Sequence, residues 1–484
     1  MSDSDFHYVS LDDLPTPPSE AQPASPYHAA ADAYIRFTNE NPTTYHVVEH
    51  FSALLTAHGF TYVAENKSWD LSPGRYFTTR SGTSLCAFVV GEDWKPEYGF
   101  GAIGSHIDSL TVKLKPFSAK ANVDGYCLLG VAPYSGSLND LWLDRDLGIG
   151  GKVLVKVAGG KTESRLVSSA PSPVARIPSL AKHFGWNGTY NKETQMVPVM
   201  GYSSEPTPTD LEKTAPLYGK HSLGLLRYIA NLAKTAVEDV VQVDLDLFDV
   251  HRATVGGLSQ EFIFGPRTDD RLCSFAAVWG LLSSLEDPSD SLSSSFSIAC
   301  LFDNEEIGSG TRQGARGGLL QAVVERVSAA NAKAKDLSRA TAAVVYANSF
   351  IVSADVTHCL NPNFKNVYLA NHYPIPNTGI TVKSDPNGHV TTESIGLTVV
   401  QGLADLNGDK LQPFHIRNDG RSGGTIGPFI SSDTGARTID VGICQLSMHS
   451  IRAMFGRDDV GLGAKFFAGF YRNWREVYDT VGDL

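Results

Sequence analysis

A run of seven residues, Phe296–Phe302, apolar but for Ser297, stops at the turn-prone pair Asp303-Asn304, and Glu305, Glu306, Gly308 and Gly310 follow at once. Such a run reads as a buried strand that delivers two adjacent carboxylates at its C-terminal end. Like charges this close raise one pKa unless a cation lies between them, so the pair asks for a proton or a metal. With a metal the two divide the labour: one ligates, and the other is free to take a proton from water. Taken alone, the pair also fits a solvated acidic turn, and the rest of the chain decides between these readings.

From residue 262 onward strand-like and helical stretches alternate: 273–285 helical, 296–302 strand, 318–332 helical, 342–346 strand, 393–406 helical. Alternation of this kind predicts an α/β fold, with a mixed, largely parallel sheet flanked by helices and ligands gathered at the carboxyl ends of its strands. Before it, residues 1–25 are polar and Pro-rich and read as a mobile tail. Helical patterns begin near Pro26 and after Pro42, and strand-like segments cover 85–90 and 98–107. Between residues 116 and 252 the character changes to Gly- and Pro-rich connections and short β-like pieces such as 152–157. This predicts a β-rich unit inserted between two parts of a first domain, 26–115 and 253–484.

The charge balance narrows the partners. A formal net charge of -12 over 484 residues argues against nucleic acid, which needs clustered Lys and Arg. No run approaches 18 apolar residues and no charged-then-apolar leader opens the chain, so neither a membrane span nor secretion is expected. The sequons at Asn66 and Asn187 are therefore expected to stay unused. Six scattered Cys without a C-x-x-C spacing read as buried thiols of a reducing compartment, and the cytoplasm is the expected location, with vacuolar delivery as the alternative.

Candidate ligands stand at strand ends and helix starts. His106 and Asp108 form H-x-D, an offset that places both on one face of a strand, where Asp108 accepts from one ring nitrogen while the other faces a metal. Asp269 and Asp270 precede a helix, one suited to capping and one to a cation. Asp355 follows a short apolar segment, and His449 lies beyond the strand-like 438–443. Two His with several carboxylates suit zinc or manganese without any thiolate. The inventory matches two ions bridged by one carboxylate.

Five segments, GSHIDS, PRTDDRLCSF, FDNEEIGSGTRQGA, SADVTHCLNPNF and SMHSIRAMF, occur in this order and resemble the aspartyl aminopeptidase family of binuclear zinc metallopeptidases. The resemblance runs from about Tyr27 to the C-terminus. It implies a zinc-peptidase-like catalytic domain split by a dimerisation domain, and dimers assembled into a homododecamer. It further implies two divalent metal ions, zinc with manganese or cobalt as alternatives. His106 and Glu306 or Asp355 become terminal ligands, Asp269 the bridge, His449 a ligand of the second ion and Glu305 the general base, with Asp108 orienting His106. Lys383 is implied as the countercharge for an acidic first side chain, with Arg417 as a second candidate. His183, within the insert, is implied to reach the neighbouring subunit's site. The expected substrates are thus peptides with a free N-terminal Asp or Glu. Thr268 and Asp270 depart from the family's usual apolar residue and Asn without touching the ligands. Alternatives are a related aminopeptidase of neutral or broad specificity, a silent assembly or cargo protein, and a metal-dependent deacylase, whose motif order fits less well.

Overall fold

The computed structural model describes residues 25–286, 293–331 and 339–481. Its largest sheet has nine strands in the order Thr61–Tyr62, Gly74–Arg80, Ser84–Val90, Phe296–Phe302, Gly101–His106, Phe350–Ala354, Arg437–Gly442, Ile380–Ser384, Leu411–His415. The four strands from Phe296–Phe302 to Arg437–Gly442 run parallel, so their carboxyl ends share one edge. Ser84–Val90 on one side and Ile380–Ser384 on the other are antiparallel to this block. The sheet is mixed and largely parallel, as the alternation predicts.

Every residue of Phe296–Phe302 is buried, and the pleat sorts them. Ala299 and Leu301 enter one core with Leu85, Ala87 and Ile103, while Phe296, Ile298, Cys300 and Phe302 enter another with Cys86, Phe88 and Ala102. A strand buried on both faces needs helices on both faces. On the first face helix Thr268–Ser284 packs against Asp459–Asp479, and on the second lie Leu319–Asn331 and Gly427–Thr434.

Residues 111–249 carry a six-stranded antiparallel sheet, which begins before the boundary expected at 116, in the order Thr162–Ser168, Leu147–Lys156, Val240–Asp249, Thr111–Ala119, Tyr126–Tyr134, Val199–Tyr202. It owns a separate core that includes Leu129, Trp142, Ile149 and Leu247, closed by helix Leu223–Leu232, whose Ser222 side chain caps the Leu225 N–H. Aromatic residues stand outside that core: Phe117, Tyr126, Phe184 and Tyr202 are all exposed. A five-stranded sheet of short segments, including Cys444–Leu446 and Ala453–Gly456, completes the described chain.

One expected strand is a helix. Residues 342–346 lie in Arg339–Ala347, and the strand follows at Phe350–Ala354. A short apolar run has no period that distinguishes a buried strand from a helix turn, and the fully buried FIVSA segment takes the sheet position. The tail expected at 1–25 lies, apart from Ser25, outside the described residues. Among the described residues no helix is long and apolar enough to cross a membrane.

Candidate active site

The shared edge of the parallel block gathers the candidate ligands. His106 closes Gly101–His106, Asp355 follows Phe350–Ala354, and Glu305 and Glu306 form a turn after Phe296–Phe302. That turn is made by Asn304 at φ 61°, a left-handed conformation that Asn tolerates better than most residues. Asp269 comes from the first turn of Thr268–Ser284, and His449 from the loop after Cys444–Leu446.

Asp269 stands in the middle. Its Oδ1 lies 3.3 Å from His106 Nε2 and its Oδ2 lies 3.4 Å from His449 Nε2. Around His106 Nε2 stand Asp355 Oδ1 and Glu305 Oε2, each at 3.8 Å, and Glu306 Oε2 is 4.0 Å from His449 Nε2. One carboxylate thus presents an oxygen to each of two imidazoles, and each imidazole has a further carboxylate at hand.

The electrostatics of this arrangement call for protons or cations. Burial first, and neighbouring carboxylates second, push Glu305 up to about 7, raise Glu306 well above the usual range and raise Asp355. Asp269 is also buried, yet its hydrogen bonds to His106 and His449 hold it well below the ordinary value. Ligand atoms of Asp269, Glu306 and His449 lie within 4.8 Å of one another. Two like charges at that separation repel by about 3.5 kcal/mol at an effective dielectric of 20, a large share of the roughly 5–15 kcal/mol that holds a domain folded. Glu306 Oε1 is moreover buried without a hydrogen-bond partner. A buried acceptor left bare, two imidazoles and a central two-sided carboxylate fit divalent ions with nitrogen and oxygen ligands.

Supporting groups fix these ligands. His106 Nδ1 meets Asp108 Oδ1 at 3.2 Å, which leaves Nε2 facing the cluster. Asp270, expected either to cap its helix or to face a cation, does neither as its main task. Its two oxygens accept the backbone N–H groups of His106 at 3.4 Å and Val356 at 3.1 Å, tying two strand ends together, although its ligand atoms also lie within 4.8 Å of those of His106 and Asp355. Because both Asp270 oxygens are occupied, we assign the central position to Asp269. Nothing in the doubled Asp distinguishes the two roles beforehand.

Lys383 is buried and lines the cleft in front of the cluster, its Nζ 3.7 Å from Asp355 Oδ2. Burial lowers its pKa, but Asp355 and Asp440 outweigh that and raise it. Gly442 makes room for this pair: a Cβ there would lie 1.7 Å from the Asp355 carbonyl oxygen and 3.4 Å from Lys383 Cε. The other walls include Val356, Val390, Phe414, Met448 and residues 422–425. Sequence reasoning did not single out His358, which shares this cleft.

Two expected residues stand apart. Arg417 is outside the cleft lining and forms a two-pronged ion pair with Asp419 at 2.9 and 2.8 Å. His183 lies in the exposed turn Lys182–Phe184, its ring tilted against that of Phe184 at 4.9 Å, and it does not line the cleft.

The chain is similar to known proteins over most of its length. Residues 37–471 match the family described as aminopeptidase I zinc metalloprotease (M18). The chain is 55% identical to vacuolar aminopeptidase 1 of Saccharomyces cerevisiae, covering 95% of this chain and 91% of that protein. It is 35% identical to the aspartyl aminopeptidase of Aspergillus oryzae, covering 93% and 96%. Among solved structures, the S. cerevisiae mApe1 dodecamer superposes with a TM-score of 0.86 at 53% identity, covering 95% of this chain and 100% of that one. With a family match over most of the chain, relatives aligned nearly end to end and a ligand set that suits divalent ions, this chain belongs to the M18 zinc metalloproteases and is a metallo-aminopeptidase.

Proposed function

We propose that this aminopeptidase removes single residues from free peptide N-termini by attack of water on the first peptide carbonyl, with Glu305 as the general base. The observation that carries the reading is Asp269, whose two oxygens face His106 and His449 while Glu305 stands beside them. Two divalent ions, zinc in the first instance, would be held by His106, Asp355, Asp269, Glu306 and His449, and when bound they supply Lewis acidity that lowers the pKa of water. Glu305 takes the proton of the attacking water and returns it to the leaving amine. Asp108 keeps His106 in one tautomer and orientation.

For the first side chain, Lys383 supports acidic residues, Asp and Glu: it is the cation in the cleft, and an acid entering a carboxylate-rich site needs one. A second reading, neutral or broad preference, is favoured by a specific observation. Lys383 is already paired with Asp355, and four apolar side chains wall the same cleft. Hydrolysis of Asp-, Glu-, Leu- and Lys-terminated chromogenic substrates, with and without chelator and added Zn²⁺, tests both. Loss of all activity with chelator and its return with zinc are expected. Faster cleavage of Leu than of Asp would replace the acidic reading by the neutral one, and activity indifferent to chelator would end the metal reading.

Self-association into a homododecamer built from dimers is supported by the likeness to the mApe1 dodecamer, and the exposed aromatics of the six-stranded sheet support residues 116–252 as the dimerising insert. His183, exposed on that insert, then reaches a neighbouring subunit's site. Mixing His183→Ala with Glu305→Gln subunits should restore part of the activity; mixed assemblies no better than their parents would remove His183 from the neighbour's site. Delivery to a vacuole is supported by the 55% identical relative's name, against the cytoplasmic location expected from composition.

A further inference from the structure

Asp108 holds more than one imidazole. Its Oδ1 faces His106 Nδ1 and accepts the Glu305 backbone N–H, both at 3.2 Å. Its Oδ2 accepts the Glu306 backbone N–H at 3.1 Å and the Tyr134 hydroxyl at 2.7 Å. Tyr134 ends the Tyr126–Tyr134 strand, so this last donor comes from the six-stranded sheet and not from the sheet that carries the ligands.

The direction of the hydrogen bonds is set from the far end. Thr311 Oγ1 accepts the Gly314 N–H at 3.0 Å and gives its single proton to Asn304 Oδ1 at 2.8 Å. The Asn304 amide must then turn its Nδ2 toward Tyr134, where it donates to the phenol oxygen at 2.9 Å. With its oxygen occupied, Tyr134 spends its proton on Asp108. The ring is itself fixed: it is buried, its backbone N–H donates to Ser137 Oγ at 3.0 Å, and the Lys113 ammonium lies 5.5 Å from its centroid. Burial and the Asp108 charge raise the phenol's pKa, which keeps it a donor.

We propose that Tyr134 is a positioning residue for catalysis supplied by the inserted sheet: its hydroxyl clamps Asp108 to the Asn304 turn, and so fixes His106, Glu305 and Glu306 together. The proposal rests on the reading of His106 and Glu306 as zinc ligands. Tyr134 does not line the cleft in front of the cluster, so its loss acts on turnover and metal retention and not on substrate binding.

The test uses the full chain carrying Tyr134→Phe, which keeps the ring. The expected result is a kcat 10–100-fold lower at saturating Zn²⁺, the range for lost outer-shell partners, an unchanged KM, and faster loss of zinc to a chromogenic chelator. Asn304→Gly, which keeps the left-handed turn and removes the donor to Tyr134 together with the acceptor of the Thr311 hydroxyl, should do the same, and the double variant should be little worse than either single one. Wild-type kcat at saturating zinc in Tyr134→Phe overturns the proposal. So does a lowered melting temperature of the zinc-free protein with kcat intact, which makes Tyr134 a packing residue. Should Tyr134→Phe fail to fold, wild-type kcat in Asn304→Gly overturns it alone. A His106→Ala variant that keeps its full zinc content would overturn the metal reading instead, and so separates the two failures.

Discussion

The two histidines of the cluster are held in opposite ways. His106 is the last residue of a central strand with a parallel neighbour on each side, its side chain 1% exposed. Asp108 fixes its ring and Asp270 accepts its backbone N–H. His449 sits on a loop at φ 60° with its side chain 60% exposed, and among the described residues no hydrogen-bond partner faces its Nδ1. Its anchorage is indirect: Ile451 enters the core of the six-stranded sheet, and Arg452 donates to the His251 carbonyl at 2.6 Å. Imidazole chemistry is the same on both sides, but ordering is not. The His106 side is organised before any ion arrives, whereas the His449 side has conformational freedom to lose on binding, which weakens affinity.

The largest effect should come from a change that spares both sides. Glu305→Gln is expected to lower kcat by about 10²–10⁴ with zinc content unchanged by elemental analysis; loss of zinc would move Glu305 into the ligand set of the His106 side. Next, His106→Ala should cost about 3–5 kcal/mol of stability in the metal-free protein, because the buried carboxylates of Asp108 and Asp269 lose the imidazole that stands between them. His449→Ala should cost less than His106→Ala, because its exposed ring is screened by water and Asp269 keeps its bond to His106. Both should lose zinc and activity, and equal denaturation midpoints for the two would erase the contrast. Timed release to a chelator should show two phases, the faster absent from His449→Ala; a single phase in the parent protein would mean the sides are equally firm. Smallest is Ile451→Val, expected to cost about 0.5–1.5 kcal/mol and to speed only the fast phase, since it loosens the anchor of one loop.

The tight side was the legible one. Phe296–Phe302 is strand over the full span of its apolar run, and Asp108 of the H-x-D meets the His106 ring, although the strand ends at His106 and Asp108 reaches it from the loop beyond and not from the same strand face. Local pattern suffices where a ligand and its support are two residues apart. It fails where the support comes from another sheet: no rule of spacing joins Tyr134 to Asn304, 170 positions away. Asp269 and Asp270 are chemically identical neighbours, and only the direction of each carboxylate, set by the surrounding strand ends, separates a candidate ligand from a backbone tie. Arg417 stands outside the cleft lining for a nearer reason, since Asp419 two residues on offers it a two-pronged partner.

Gly442 sets a limit on how this cleft can be altered. A methyl group at that position would have to overlap the Asp355 carbonyl oxygen, 1.7 Å away. Even alanine there would displace the backbone of Asp355, which carries a candidate ligand. No graded series of side chains is open at Gly442 by which selectivity could drift through intermediates. On the proposed reading of the cleft, a change of substrate preference passes through Lys383 or the apolar wall, where one substitution alters charge or volume without moving a strand.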